Sequence, residues 1–245
     1  MQLISCHDGK LLKLSGDALV AAAGGGFSTG LPELDALAPQ EAFARAALHE
    51  VLGEAGEGRP LFFAMLLARA CMNSSGFHIV WCDPGGEIYP PALAAYGIPL
   101  ERLLLLKTKT DRELVWAIAE CLRCKGIGAV IAAPPRLSRI EARRLQLSAE
   151  RGGGVGLLLR PARGPESACH AATTRWLVRP AAGERTLQRW SIQLIHGHGG
   201  RVGQTVILEC SRETHHITVR ARQTDPVRQT GELAHRPAAT RARAG

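Results

Sequence analysis

Residues 53–60 read GEAGEGRP, and their types and spacing raise one kind of chemistry before any other. Gly53 and Gly58 stand where the pattern G-x-x-x-x-G-K-[ST] would put them. That pattern builds a loop whose backbone N–H groups, with the N-terminus of the following helix, cradle phosphates. Its lysine reaches the outer phosphates and its Ser/Thr hydroxyl holds Mg²⁺. Here Arg59 takes the lysine position and Pro60 the hydroxyl position. Arg59 keeps a positive charge on a larger, planar head, whereas Pro60 has neither a hydroxyl nor an N–H. Glu54 and Glu57 add negative charge where phosphates would lie. At about 4 Å like charges repel by roughly 1–4 kcal/mol, depending on the effective dielectric. The loop is therefore expected not to grip a magnesium nucleotide, and no cofactor is expected.

Other residue types that could do chemistry are scattered. Cys121 and Cys124 supply only two of the four ligands that structural zinc needs. Three residues apart on a helix, they read as buried small hydrophobes, as do Cys71 and Cys82 in apolar elements. His196 and His198 flank a glycine turn and His215 and His216 head a strand, with no thiol or carboxylate pattern beside them; no metal site is expected. Trp81, Trp116, Trp176 and Trp190 fall in regular elements and are expected in the core. Arg136, Arg139, Arg143 and Arg144 gather around the start of a helix. They suit DNA phosphates or an acidic partner, and equally a solvated face.

The elements that must position these residues alternate. LHEVL (48–52) is a short apolar run before the Gly-rich loop, and PLFFAMLLARACMN (60–73) reads as a helix with Pro60 at its first position. FHIVWC (77–82), LLLL (103–106), GAVIAA (128–133) and VGLLLR (155–160) read as strands, the second of them buried. A short helix ending at Gly97, an amphipathic helix from Asp111, and a helix begun by Ser138 with Glu141 as its capping-box partner lie between them. Strands alternating with helices imply a mostly parallel sheet covered on both faces. After residue 170 the helices stop, and TTRWLVRP, RWSIQLI, QTVILEC and HHITVRA should extend the sheet as hairpins. Residues 1–26 are an ambiguous segment ending in a Gly-rich hinge, 27–221 the core, and 222–245 a disordered basic tail carrying Arg222, Arg228, Arg236, Arg241 and Arg243.

The totals bound the partners. The chain has 245 residues, 46% hydrophobic but only 4% aromatic, so Leu, Val, Ile and Ala must fill the core. A formal charge of +8 favours an acidic partner. No secretory signal and no apolar run of membrane-spanning length is present, and the scattered, odd number of cysteines, 7, suits reduced thiols in a cytoplasmic protein.

The order of segments resembles the RecA family. FSTGLPELDAL stands where that family has an STG…LD segment; the strand-loop-helix LHEVLGEAGEGRPLFFAMLLARA follows, and then FHIVWCDPGGEIYPPALAAYGIPLERLLLL. The resemblance covers roughly residues 27–210 and implies an α/β, RecA-like P-loop-NTPase-type fold with antiparallel strands towards the C-terminus. Its departures fall on the chemistry. Asp83 survives, but Gly85 occupies the family's catalytic glutamate position, with Glu87 as a nearby substitute, and GAVIAAPPR puts Ala133 where a metal-holding aspartate would end the strand. With Arg59 and Pro60, four functions change together, so the resemblance implies a scaffold without ATP hydrolysis. The combination is similar to the ImuA family, also described as SulA-like, through HEVLGEAGEGRPLFF and the late RW…GGRVGQTVILE. That resemblance implies a non-catalytic adaptor in damage-induced mutagenesis. It would work with polymerase-like ImuB, an error-prone replicative-type DNA polymerase and RecA in translesion synthesis. Arg163 and Arg175, in the basic stretch 160–175, fall where RecA proteins carry DNA-binding loops, and weak DNA binding follows as an expectation. Two readings stay open beside it, a weak ATPase using Arg59 and Glu87 and a SulA-like cell-division inhibitor.

Overall fold

A computed structural model describes residues 3–7, 10–14, 25–54, 60–72, 77–134, 137–162 and 171–220. Residues 15–24 of the N-terminal segment, the basic tail, and the predicted site residues Gly58, Arg59, Arg136, Arg163, Arg222, Arg228, Arg236, Arg241 and Arg243 lie outside the described residues, whereas Gly25 and Gly26 of the expected hinge are described and Gly26 enters a short strand.

The strands are β1 (Leu3–His7), β2 (Lys10–Leu14), β3 (Gly26–Phe27), β4 (Phe43–Ala44), β5 (Ala47–Gly53), β6 (His78–Cys82), β7 (Leu103–Leu106), β8 (Ile127–Ala132), β9 (Val155–Pro161), β10 (Thr174–Ala181), β11 (Leu187–Gly197), β12 (Thr205–Ser211) and β13 (Ile217–Arg220). The helices are α1 (Pro32–Asp35), α2 (Leu61–Met72), α3 (Pro90–Ala95), α4 (Asp111–Arg123) and α5 (Arg139–Gly152). β1 pairs with β2, and β3 with β4, as small antiparallel ladders. The other nine strands form one sheet in the order β13-β12-β11-β10-β5-β9-β8-β6-β7. Every neighbour from β10 to β7 is parallel, and every neighbour from β10 to β13 antiparallel. β10 thus joins the two halves, parallel to β5 on one side and antiparallel to β11 on the other.

Sequence explains the layers. β5, β8 and β9 are near-continuous runs of buried residues, as central parallel strands covered on both faces must be. α2 buries everything except Leu61 and Arg69, because Phe62 stacks on Trp190 on one side while Phe63 meets Phe43 and Trp176 on another. One core cluster unites α2, Leu93 of α3 and Ile98 with the sheet; a second sets α4 and α5 against the opposite face through Leu114, Ile118, Leu122 and Leu145. α5 has the expected capping box, in which Ser138 Oγ accepts from Glu141 N at 3.2 Å and the Glu141 carboxylate accepts from Ser138 N at 2.8 Å. It ends at Gly153, whose φ of +81° is the left-handed conformation glycine supplies.

Three expectations need correction. β7 is the sheet's outer edge rather than a buried strand, and Leu104 and Leu105 are exposed, because among the described residues no strand follows it on that side. Trp116 is 60% exposed, since Leu114, Ile118 and Leu122 occupy the inward stripe of α4 and residue 116 points away from it; Trp81 and Trp176 are in the core and Trp190 is half-buried. Cys124 lies just beyond α4 and is exposed, with Cys121 half-buried, whereas Cys71 and Cys82 are buried.

Candidate functional site

The crevice where ligands collect in open α/β sheets lies outside the carboxyl ends of the parallel strands. β5 ends there at Gly53, buried, whose carbonyl accepts from Ala162 N at 2.6 Å. Pro60 stands immediately before α2 rather than inside it, half-buried. A cavity of about 370 Å³ opens at this edge, lined by Leu61 of α2, Trp81, Cys82 and Asp83 at the end of β6, Glu87 and Ile88 of the next turn, Ala133 after β8 and Leu159 of β9. The structure therefore brings Asp83, Glu87 and Ala133 to one place, beside the start of α2.

Asp83 is buried, and its Oδ2 accepts the Ile88 N–H at 2.9 Å while its carbonyl accepts from Gly86 N at 3.2 Å. Its carboxylate fastens the turn that follows β6. A Cβ added to Gly85 would stand 3.2 Å from Glu87 Oε1, so the Glu87 carboxylate covers the position that Gly85 leaves bare. The Lys107 ammonium lies over Gly86, where glycine takes a φ of +67°. Cys82 has its thiol pushed up to about 12, chiefly by burial and then by the neighbouring Cys121, and stays protonated. Among the described residues, the lining groups at this cavity are thus apolar, acidic or a neutral thiol, and none is a cation or an aliphatic hydroxyl.

A second polar constellation sits one step back along β5, and sequence reading missed it. Glu50 is fully buried. It accepts from Arg160 Nη1 of β9 at 2.9 Å and from Arg175 Nε of β10 at 2.5 Å. Arg175, expected at a nucleic-acid or partner contact, is ion-paired with this carboxylate. Glu54, beyond the strand, accepts from Arg179 at 3.3 Å and so turns toward β10. On the other face His49 is buried, its Nδ1 2.6 Å from Thr174 Oγ1 and its Nε2 2.9 Å from Ala44 O. The carbonyl can only accept, so Nε2 carries the proton and Nδ1 accepts from the Thr174 hydroxyl. That hydroxyl in turn accepts from Trp176 Nε1 at 2.7 Å. Burial lowers the His49 pKa to about 4, which keeps the ring neutral. The signal available in the sequence was the pair His49–Glu50 inside an otherwise apolar strand, ALHEVLG.

FSTGLPELD also acquires a physical role. Asp35 is buried and accepts from Ser28 Oγ at 2.6 Å, Thr29 N at 3.0 Å and Thr29 Oγ1 at 2.7 Å, tying the turn before α1. The remaining predicted residues fall elsewhere. Arg139, Arg143 and Arg144 are exposed on α5. His196 and His198 are neighbours with ring centroids 5.4 Å apart, while His215 meets Tyr96 at a tilt, with centroids 4.9 Å apart. Among the described residues no group of three or more His, Cys, Asp or Glu is placed to hold a metal ion. Among them, too, no helix is long and apolar enough to cross a membrane.

A mostly parallel α/β sheet with antiparallel strands appended, flanked by helices and carrying a strand-loop-helix crevice at its carboxyl edge, defines a RecA-like fold. No family model matches the chain. It is similar to Protein ImuA of Caulobacter vibrioides, in two strains, at 27% identity over 199 residues, covering 74% of this chain and 82% of the relative. This similarity supports the likeness to the ImuA family that the segment order suggested. A shorter likeness, 31% over 72 residues, links 29% of this chain to 43% of the Cell division inhibitor SulA of Edwardsiella piscicida.

Proposed function

We propose that this chain is a non-catalytic RecA-like adaptor that supports error-prone translesion synthesis after DNA damage, in the cytoplasm. In this reading its core, residues 27–221, docks a polymerase-like partner of the ImuB kind and an error-prone replicative-type polymerase, with RecA and weak DNA contact as further associations. The similarity to ImuA is one support. The observation that carries the non-catalytic part is the lining of the crevice. Ala133 of the lining, like Pro60 before α2, brings no metal-holding oxygen from its side chain, Asp83 is engaged by a backbone N–H, and the other lining carboxylate, Glu87, would meet a triphosphate as a like charge. A fold that no longer turns over nucleotide retains its surface, and surface is what an adaptor needs.

The experiment is co-purification of the full chain with the neighbouring polymerase-like protein, beside titration with labelled ATP and Mg²⁺. Retention of that protein with no nucleotide binding tighter than about 100 µM, roughly −5.5 kcal/mol, is expected. Tight nucleotide binding with turnover would establish the weak ATPase instead. A second reading, cell-division inhibitor, is favoured by the SulA likeness alone. Recovery of the tubulin-like division protein and no polymerase from DNA-damaged cells would favour it.

A further inference from the structure

The outward face of α5 carries a pattern that neither the core nor the crevice uses. Ile140 is 81% exposed and Leu147 47%. Seven residues apart on a helix, they lie on one line two turns apart, about 10.5 Å along the axis. Arg143 and Arg144 fall between them, Arg139 precedes and Arg151 follows one turn beyond Leu147, all exposed. Both carboxylates of the helix are engaged internally. Glu141 closes the capping box, and Glu150 accepts from Gln146 Nε2 at 3.1 Å and lies 3.9 Å from Arg143 Nη1. Among the described residues Arg139, Arg144 and Arg151 form no salt bridge. α4, which packs beside α5 on the same sheet face, adds the exposed Trp116 to this layer.

We infer that the outer face of α5 docks an acidic amphipathic helix of a partner protein, whose apolar side chains cover Ile140 and Leu147 while its carboxylates meet Arg139, Arg143, Arg144 and Arg151. The inference rests on the adaptor reading for its need of a partner, but names the surface and the chemistry it takes. Charge complementarity selects the occupant: a ridge of arginines without enough local carboxylates calls for anions on the other side. The apolar line selects protein over DNA, because an isoleucine and a leucine at the centre of a face gain nothing from phosphates but fit the i, i+3/i+4, i+7 anchors of a docked helix.

The test uses the full chain and fluorescence anisotropy with three labelled probes: a synthetic helical peptide of leucine and glutamate with leucines at heptad spacing, its lysine-for-glutamate counterpart, and a 20-base-pair DNA duplex. The acidic peptide should bind, the basic one should not, and binding should fall at least tenfold both in I140S/L147S and in R139Q/R143Q/R144Q. Circular dichroism confirms that each variant folds; I140S alone, at the most exposed site, serves if the double variant does not. Equal binding of the two peptides overturns the inference. So does acidic-peptide binding unchanged in both variants, or tighter binding of the duplex that survives I140S/L147S. A concentration-dependent dimer in sedimentation, abolished by I140S/L147S, would assign the face to a second copy and overturn it as well. Loss of the peptide result with co-purification intact overturns this face alone, whereas failed co-purification of the wild type overturns the adaptor reading.

Discussion

Strand β5 passes through two polar regions within a few residues, and they differ in what surrounds their charges. Midway along, Glu50 and His49 are buried and every partner is in place: two guanidiniums for the carboxylate, a hydroxyl and a carbonyl for the imidazole. At the end of the strand the crevice is open to solvent, and its carboxylates either hold a turn, as Asp83 does, or sit at the rim, as Glu87 does. The buried charges midway along β5 join neighbouring strands, whereas the carboxylates described at its end hold a turn or face solvent.

The sharpest way to break the comparison is to remove the centre of the buried region. Glu50→Ala leaves Arg160 and Arg175 facing an apolar interior, and breaking a buried pair in this way costs about 3–5 kcal/mol. The chain should unfold at markedly lower urea, or fail to accumulate folded. Glu54→Ala, which strips Arg179 of a partner in a pair that is roughly half exposed on both sides, should change stability by less than about 1 kcal/mol. Equal effects of the two substitutions in urea melts would remove the distinction between the regions.

Next in size is a dependence on pH carried by His49. Above pH 6.5 the imidazole is neutral in both folded and unfolded chains and adds no slope. Below that, the unfolded chain takes a proton which the folded chain refuses until about pH 4. Stability should fall as pH drops from 6.5 to 4 and then level off, by roughly 3 kcal/mol in all from this group. Urea melts across that range should show the slope in the wild type and a shallower one in His49→Gln. Identical slopes would mean that the ring is not held neutral by burial. A smaller loss, about 1–3 kcal/mol, is expected for Asp35→Ala, which orphans the Thr29 N–H and two hydroxyls in the turn before α1. Asp35→Asn should recover part of it, because one amide oxygen can still accept.

The difference between the regions was only half legible in the sequence. Alternating apolar runs and helical stripes gave the strands and helices, because each is fixed by local periodicity, and Ser138 with Glu141 announced the start of α5 three residues apart. That the Pro60 and Ala133 side chains carry no oxygen was legible because it is a property of the residue itself. Glu50 could not be assigned in the same way. Its partners lie 110 and 125 residues away on strands whose adjacency to β5 is a matter of topology, not of spacing. For the same reason the ion pair of Arg175 could not be read from the sequence, and Trp116 looked like core: hydrophobicity is visible in one residue, but the face it takes depends on which neighbours fill the inward stripe first.

The smallest expected effect lies at the crevice rim. Glu87 is exposed and stands over Gly85, so the substitution Glu87→Gln keeps size and packing while removing one negative charge. Surface changes of this kind alter stability by within about 0.5 kcal/mol. If the crevice is a shape without a reaction, the variant should match the wild type in a damage-induced mutagenesis assay and in retention of the polymerase-like partner. If Glu87 instead stood in for a catalytic glutamate, the same substitution would abolish function while leaving the urea melt unchanged. That pattern, loss of activity at constant stability from a single rim carboxylate, is the one result that would move the chemistry back to the end of β5.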